Sequence, residues 1–184
     1  MKDNTVEIDR SVVPNRLNFA QKFNVAVPFI DAHLGQGRGH KTAIKTADKT
    51  WSYQDLFNHV NSVGNHLLAE GMKPGERLMM VVRDCPEFIA LFFGAIKAGI
   101  IPAPVNTLLR KEDYIYLVSD SSCAGFIYSV QFSDVVQPAL FACKNQPTYV
   151  TTVETLFEQM DGNSGSLEPA VKTHLDDCFW LYSS

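Results

Sequence analysis

The apolar positions of this 184-residue chain change period along its length, and the changes mark out its elements. Over residues 75–106 the sequence GERLMMVVRDCPEFIALFFGAIKAGIIPAPVN reads as a strand, a helix and a second strand. Residues 78–82 form an unbroken apolar run, the pattern of a strand covered on both faces. Arg83 and Asp84 end it. Pro86 suits a first helical position, where its missing N–H is not needed, with Asp84 or Cys85 as the cap. The helix is apolar almost all round, which buries it and leaves Glu87 and Lys97 as its obvious solvent contacts. Gly99 supplies the C-cap, and residues 100–105 return as a strand. Its Pro102 and Pro104 cannot donate to a ladder, which places it at an edge, and a right-handed crossover makes the two strands parallel.

The rest of the chain is less regular. Residues 1–23 show no period and read as an arm laid on a larger body. Residues 24–34 suit a short helix with Pro28 in its first turn and Phe29, Ile30 and Leu34 facing inward. The GQGRG loop at 35–39 has glycine spacing, but a phosphate loop needs a strand before it and a helix after it. Strand-like KTAIKT follows instead, so the loop is a turn. Residues 42–46 and 50–52 make a hairpin, and Ser52 with Asp55 forms a capping box ahead of an amphipathic helix. Leu56, Val60, Val63, Leu67 and Leu68 share its inner face, while Asn58, Asn61, Asn65 and Glu70 share the outer one. His59 and His66 stand seven apart, too far for a helical metal pair, and read as packing or surface groups.

After the second strand, Lys111, Glu112 and Asp113 open a helix with Tyr114, Ile115, Leu117 and Val118 inward. A strand at 124–128, a helix at 132–143 carrying Pro138, a strand at 148–152, a helix at 153–160 and a loop at 161–166 follow. The apolar run CFWLY at 178–182 reads as a last strand. Strands at 78–82, 100–105, 124–128, 148–152 and 178–182, separated mostly by helices, predict an α/β fold. It is a mostly parallel, doubly wound sheet of about five strands with flanking helices and a small N-terminal hairpin. Ligands of such sheets bind beyond the carboxyl ends of the strands, here the loops after Val82, Val105, Tyr128 and Tyr182. Arg83 and Asp84 stand there, but a charged pair ending a strand and capping a helix is more often structural. Arg110 and Lys111 could hold a phosphate, or be solvated surface.

Composition narrows the function classes. Apolar residues make up 46% and charged residues 20%, so the chain is neither disordered nor fibrous. The formal charge is −4 with no stripe of Lys and Arg, which argues against nucleic acid as a partner. No apolar segment approaches the ~18 residues of a membrane span, and MKDNTVEIDRSVV lacks the features of a secretory signal, which predicts a cytoplasmic protein. Cys85, Cys123, Cys143 and Cys178 are scattered without a CxxC pair and read as buried free thiols. No activated nucleophile, HExxH or complete phosphate loop is present, so no catalytic or metal-ligating residue is assigned.

The segments TWSYQDL, GERLMMVVRDCPEFIALFFGAIKAGIIPAPVN and DDCFWLYSS resemble the opening third of the acyl-adenylate-forming enzymes, the AMP-dependent synthetases and ligases. Within them, FNVAVPFIDAHL, GRGHKTAI, RDCPEF and NTLLRKEDY are most similar to the benzoate-CoA ligases. The resemblance runs from Asn24 nearly to the end. It implies an enzyme that activates an aromatic carboxylate with Mg·ATP to an acyl-adenylate and transfers the acyl group to coenzyme A. It also implies that Ser183 and Ser184 begin the Ser, Thr and Gly-rich loop that holds the ATP phosphates, and that Arg110 or Lys111 approaches the phosphates of coenzyme A. The glycines and lysine of that loop, the carboxylate pocket and the catalytic lysine are absent. Residues 24–184 are thus expected to be an N-terminal subdomain, truncated at the start of the phosphate loop, inactive alone and binding none of these cofactors tightly. An uncovered apolar face or edge would favour self-association. The alternative is a self-standing, non-catalytic α/β binding or interaction module, while a Rossmann oxidoreductase is disfavoured by RDCP where a glycine fingerprint would stand.

Overall fold

Strand β5 (Arg77–Val81) lies inside the main sheet, and four of its five residues, Leu78 to Val81, are wholly buried. Their side chains alternate between two cores. Leu78 and Met80 pack with helices α2 (Tyr53–Ala69), α3 (Pro86–Lys97) and α6 (Val153–Gln159). Met79 and Val81 pack on the other face with α4 (Lys111–Ser121) and α5 (Ser133–Ala142). A strand with apolar neighbours on both sides has no polar face, which is why the run in the sequence is continuous. The computed structural model describes residues 1–160 and 165–183, so positions 161–164 of the expected 161–166 loop, and Ser184, lie outside the described residues.

The sheet has four parallel strands in the order β6 (Ile101–Pro104), β5, β7 (Gly125–Tyr128), β8 (Tyr149–Thr152). The connection from β5 runs outward to β6, whereas β7 leads away on the other side. The strand order therefore reverses between β5 and β7, and the loops leaving their carboxyl ends diverge there. Helices α2 and α3 meet at glycines. A Cβ on Gly94 would stand 2.7 Å from a Val63 methyl and 2.9 Å from the Val60 carbonyl, and one on Gly64 would meet the Leu167 side chain.

The expected fifth strand at 178–182 is not a strand. Ile101 and Val105 donate inward to the Glu76 and Met80 carbonyls, so residues 102 and 104 turn their backbone groups to the open edge. Both are prolines, so this edge offers carbonyls and no N–H. One bond is made, from the Trp180 N–H to the Pro102 carbonyl at 3.0 Å. Side chains do the rest of the holding: Phe179 packs against Phe92, Arg77 lies 4.8 Å over the Trp180 ring, and the Tyr182 hydroxyl donates to Asp120.

Other expectations are met or corrected locally. The hairpin forms as β3 (Thr42–Lys45) and β4 (Thr50–Ser52), and the Ser52–Asp55 capping box is present in both directions. The arm at 1–23 folds into an antiparallel ribbon of β1 (Val6–Asp9) and β2 (Arg16–Phe19), whose apolar side chains are largely exposed and so left little signal in the sequence. Residues 24–35 form a π-helical turn (Val27–Asp31) and α1 (Ala32–Gly35). Ile30 is buried there, but Phe29 faces outward and stacks on Phe93.

Two polar residues read as solvent contacts are inside. Lys97 and Asn61 are each 1% exposed. The Lys97 ammonium donates to Asn61 Oδ1 and Asp31 Oδ1, both at 2.8 Å, and lies 4.7 Å from the Phe57 ring centroid. Buried charge survives only when paired and hydrogen-bonded, and here the partners come from two other elements.

Candidate functional site

A crevice of about 500 Å³ opens where the loops after β5, β6 and β7 diverge. Val82, Arg83 and Asp84 line one side, Pro104 to Leu108 another, and Gln131 with Phe132 a third, while Leu181 closes it. The loops are fixed by short-range bonds. Ser129, wholly buried, accepts the Arg83 N–H at its hydroxyl and donates its own N–H to the Val81 carbonyl. Asn106 Oδ1 accepts the Leu108 N–H at 2.9 Å and closes a turn, and the Tyr114 hydroxyl donates to the Asn106 carbonyl at 3.0 Å. Glu154 Oε2 takes the Val130 N–H. These bonds leave a preformed hollow with an apolar floor and a polar lip of Arg83, Asp84, Asn106 and Thr107, the form of a binding site at a strand-order reversal.

Chemically the crevice can hold a ligand, and Cys85, Glu87 and His59, which lie outside its lining, are not poised to react. Cys85, at the start of α3, has its thiol pushed up to about 11 by burial, so it is not a thiolate near neutrality. Burial works against the Glu87 carboxylate, yet the Lys49 ammonium at 2.5 Å holds it below the usual range. His59 stacks on Trp51 at 4.3 Å, and burial lowers its pKa.

The sequence-predicted site residues scatter. Arg110 caps α4, with its guanidinium 81% exposed and 3.3 Å from Asp113, whose carboxyl is held low by the Arg110 backbone N–H and side chain. Lys111 lies on a separate shallow cleft between α4 and α5, beside Ser133, Asp134 and Gln137. Neither lines the crevice. Ser183 is exposed and follows Leu181 of the crevice wall by two residues, so the chain does arrive at the carboxyl end of the sheet there. Tyr182 anchors that arrival. Its hydroxyl donates to Asp120 at 2.9 Å, and burial together with that carboxylate pushes its pKa up to about 12. Ser184 lies outside the described residues. Sequence reasoning named the loops but missed Ser129, Asn106 and Leu181. Asn106, the last residue of the strand, helix, strand unit, was the one with a visible signal, since Asn commonly closes turns with its side chain.

Comparison with known proteins gives this geometry its context. The family model of the AMP-binding enzymes matches residues 32–184. A benzoate–CoA ligase of Thauera aromatica is 31% identical over 181 residues, covering 96% of this chain and 34% of the relative. A solved benzoate CoA ligase of Burkholderia xenovorans superposes with a TM-score of 0.76 at 27% identity, over 87% of this chain and 32% of that one. An anthranilate CoA ligase in complex with anthranoyl-AMP superposes at 0.80 with 26% identity, over 90% and 32%. The chain thus spans about a third of the length of these relatives. With its parallel sheet, its crevice and a family match over most of its length, this chain belongs to the AMP-binding enzyme family.

Proposed function

We propose that residues 24–184, preceded by the arm at 1–23, are the N-terminal subdomain of an aryl-CoA ligase, an AMP-forming acid–thiol ligase of the benzoate-CoA ligase kind. The parent activates an aromatic carboxylate with Mg·ATP and passes the acyl group to coenzyme A. The observation that carries this reading is the likeness to benzoate–CoA ligase across 96% of the chain. The described residues offer hydroxyls at the crevice at Thr107 and, two residues beyond Leu181 of the wall, at Ser183. Hydroxyls alone do not make a triphosphate site, which also needs converging backbone N–H groups and a cation. When bound, Mg·ATP supplies the leaving pyrophosphate. The contribution of this chain is to deliver Ser183 to the end of the sheet and to keep that approach anchored through Tyr182.

Arg110 and Lys111 stand apart from the crevice, on the surface at the start of α4, where exposed cations suit the diphosphate of coenzyme A. The chain is proposed to work in the cytoplasm, and no helix among the described residues is long and apolar enough to cross a membrane. ATP–pyrophosphate exchange with benzoate tests the reading. Residues 1–184 alone should give no exchange above a benzoate-free blank, and detectable exchange would contradict it. In a chimaera completed by the rest of a benzoate–CoA ligase, Arg110→Glu should raise the apparent KM for coenzyme A, and an unchanged value removes Arg110 from that role.

A further inference from the structure

A second cavity, of about 210 Å³, opens at the other end of the sheet. Ile96 at the end of α3 and Ile100 just before β6 form its floor, 5% and 1% exposed. Phe19 and Phe23 make one wall, edge to face with centroids 5.1 Å apart. The opposite wall is the segment 172–178, tied down by the Lys172 carbonyl accepting the Phe23 N–H at 2.8 Å and by the Ala170 N–H donating to the Lys97 carbonyl at 2.8 Å. Both tethers are backbone bonds to the helical layer or the N-terminal arm, so the hollow is built into the fold. From Ile100 to Val105 the chain advances five residues at ~3.3 Å each, so this cavity and the crevice lie on the order of 16 Å apart.

Size and lining decide what fits. An apolar hollow of ~150 Å³ lined by Leu, Ile and Phe stays dry and takes one benzene ring, so a slightly larger one takes a single substituted ring. Ring edges of Phe19 and Phe23 favour an aromatic guest by offset or edge-to-face contact. The polar rim carries Lys172 against Asp176 and Asp177, with His174 beside Phe19. Asp176 is engaged by the Thr173 N–H and hydroxyl, at 2.6 and 2.9 Å, and Asp177 accepts the Trp180 indole N–H. Lys172 against Asp176 and Asp177 sums to one negative charge, which disfavours an anion.

We propose that this cavity is a binding site for a neutral molecule built on a single aromatic ring, separate from the crevice and independent of ATP. Cys178 reports on it, because its half-buried thiol lines the cavity while Cys143 packs elsewhere, against α5. The test is alkylation of the intact chain with iodoacetamide, resolved by thiol in mass spectrometry, with toluene as the probe. Toluene should slow Cys178 by about threefold or more while Cys143 keeps its rate, since the guest excludes reagent from the occupied population. Benzoate at equal concentration should protect less. Val25→Phe, which fills the hollow from its wall, should abolish the protection without moving the Cys143 rate. Equal Cys178 rates with and without toluene in the unaltered chain overturn the site whatever the variant does. Protection that persists in a folded Val25→Phe chain overturns its location, and stronger protection by benzoate overturns the neutral-ring assignment. None of these readouts involves pyrophosphate exchange, so the site and the ligase reading fail separately.

Discussion

Lys97 is a buried cation, 1% exposed and held by Asp31 and Asn61. Burial raises the Asp31 carboxyl above its ordinary 3.8, and the Lys97 bond only partly offsets that. A raised carboxyl favours the fold fully below its unfolded value and loses that contribution as pH rises through the folded one. Lys97→Met removes the offset and should cost about 3 kcal/mol at neutral pH, as expected for breaking a buried pair from one side. The cost should shrink below about pH 4, where Asp31 is protonated in either state, and Asp31→Asn in the same chain should recover part of it. Urea melts at pH 7 and pH 3 check this, and a penalty independent of pH contradicts it. His59 works in the opposite sense. Burial lowers its pKa from 6.5, so its contribution is present above 6.5 and lost as pH falls. Thermal melts should show the unaltered chain losing stability relative to His59→Phe between about pH 7.5 and 5.5, and parallel curves would refute this. Neither Lys97 nor Asn61 could be placed from the sequence. Both stand on polar positions of their helices, and their burial depends on meeting each other across α2 and α3, which no spacing within one helix reveals.

At the scale of elements, apolar runs and period-3.6 patterns placed the four sheet strands and the helices between them, because each has its own apolar face or run to bury. The 178–182 segment had the same apolar signal and failed to become a strand, because its neighbour lacks donors. The prolines were read as marking an edge. That they also stop the next segment from pairing follows only when residues 102 and 104 are seen to face outward together. Restoring the donors should complete the sheet. Pro102→Val with Pro104→Val should slow amide exchange over 178–182 markedly, and exchange as fast as in the unaltered chain would show that the prolines are not the cause. The glycines of the α2–α3 contact were equally silent in the sequence, since a helical glycine shows its use only when a second helix lies against it.

For the whole molecule, the parallel sheet was legible from the alternation of strands and helices, whereas the crevice's own residues depend on how three loops fold back on Ser129 and Asn106. The return segment leaves Val171 78%, Leu175 84% and Leu181 70% exposed. Such a surface favours association, although two β6 edges cannot pair with each other because neither donates. Light scattering should show the mean mass rising with concentration, and a monodisperse monomer throughout would contradict that. The central claim concerns the parent activity. The most direct measurement is benzoate-dependent ATP–pyrophosphate exchange by a chimaera in which residues 1–184 replace the matching third of the Thauera aromatica benzoate–CoA ligase. Exchange clearly above the benzoate-free blank is the predicted result, and a folded chimaera without it would contradict the account.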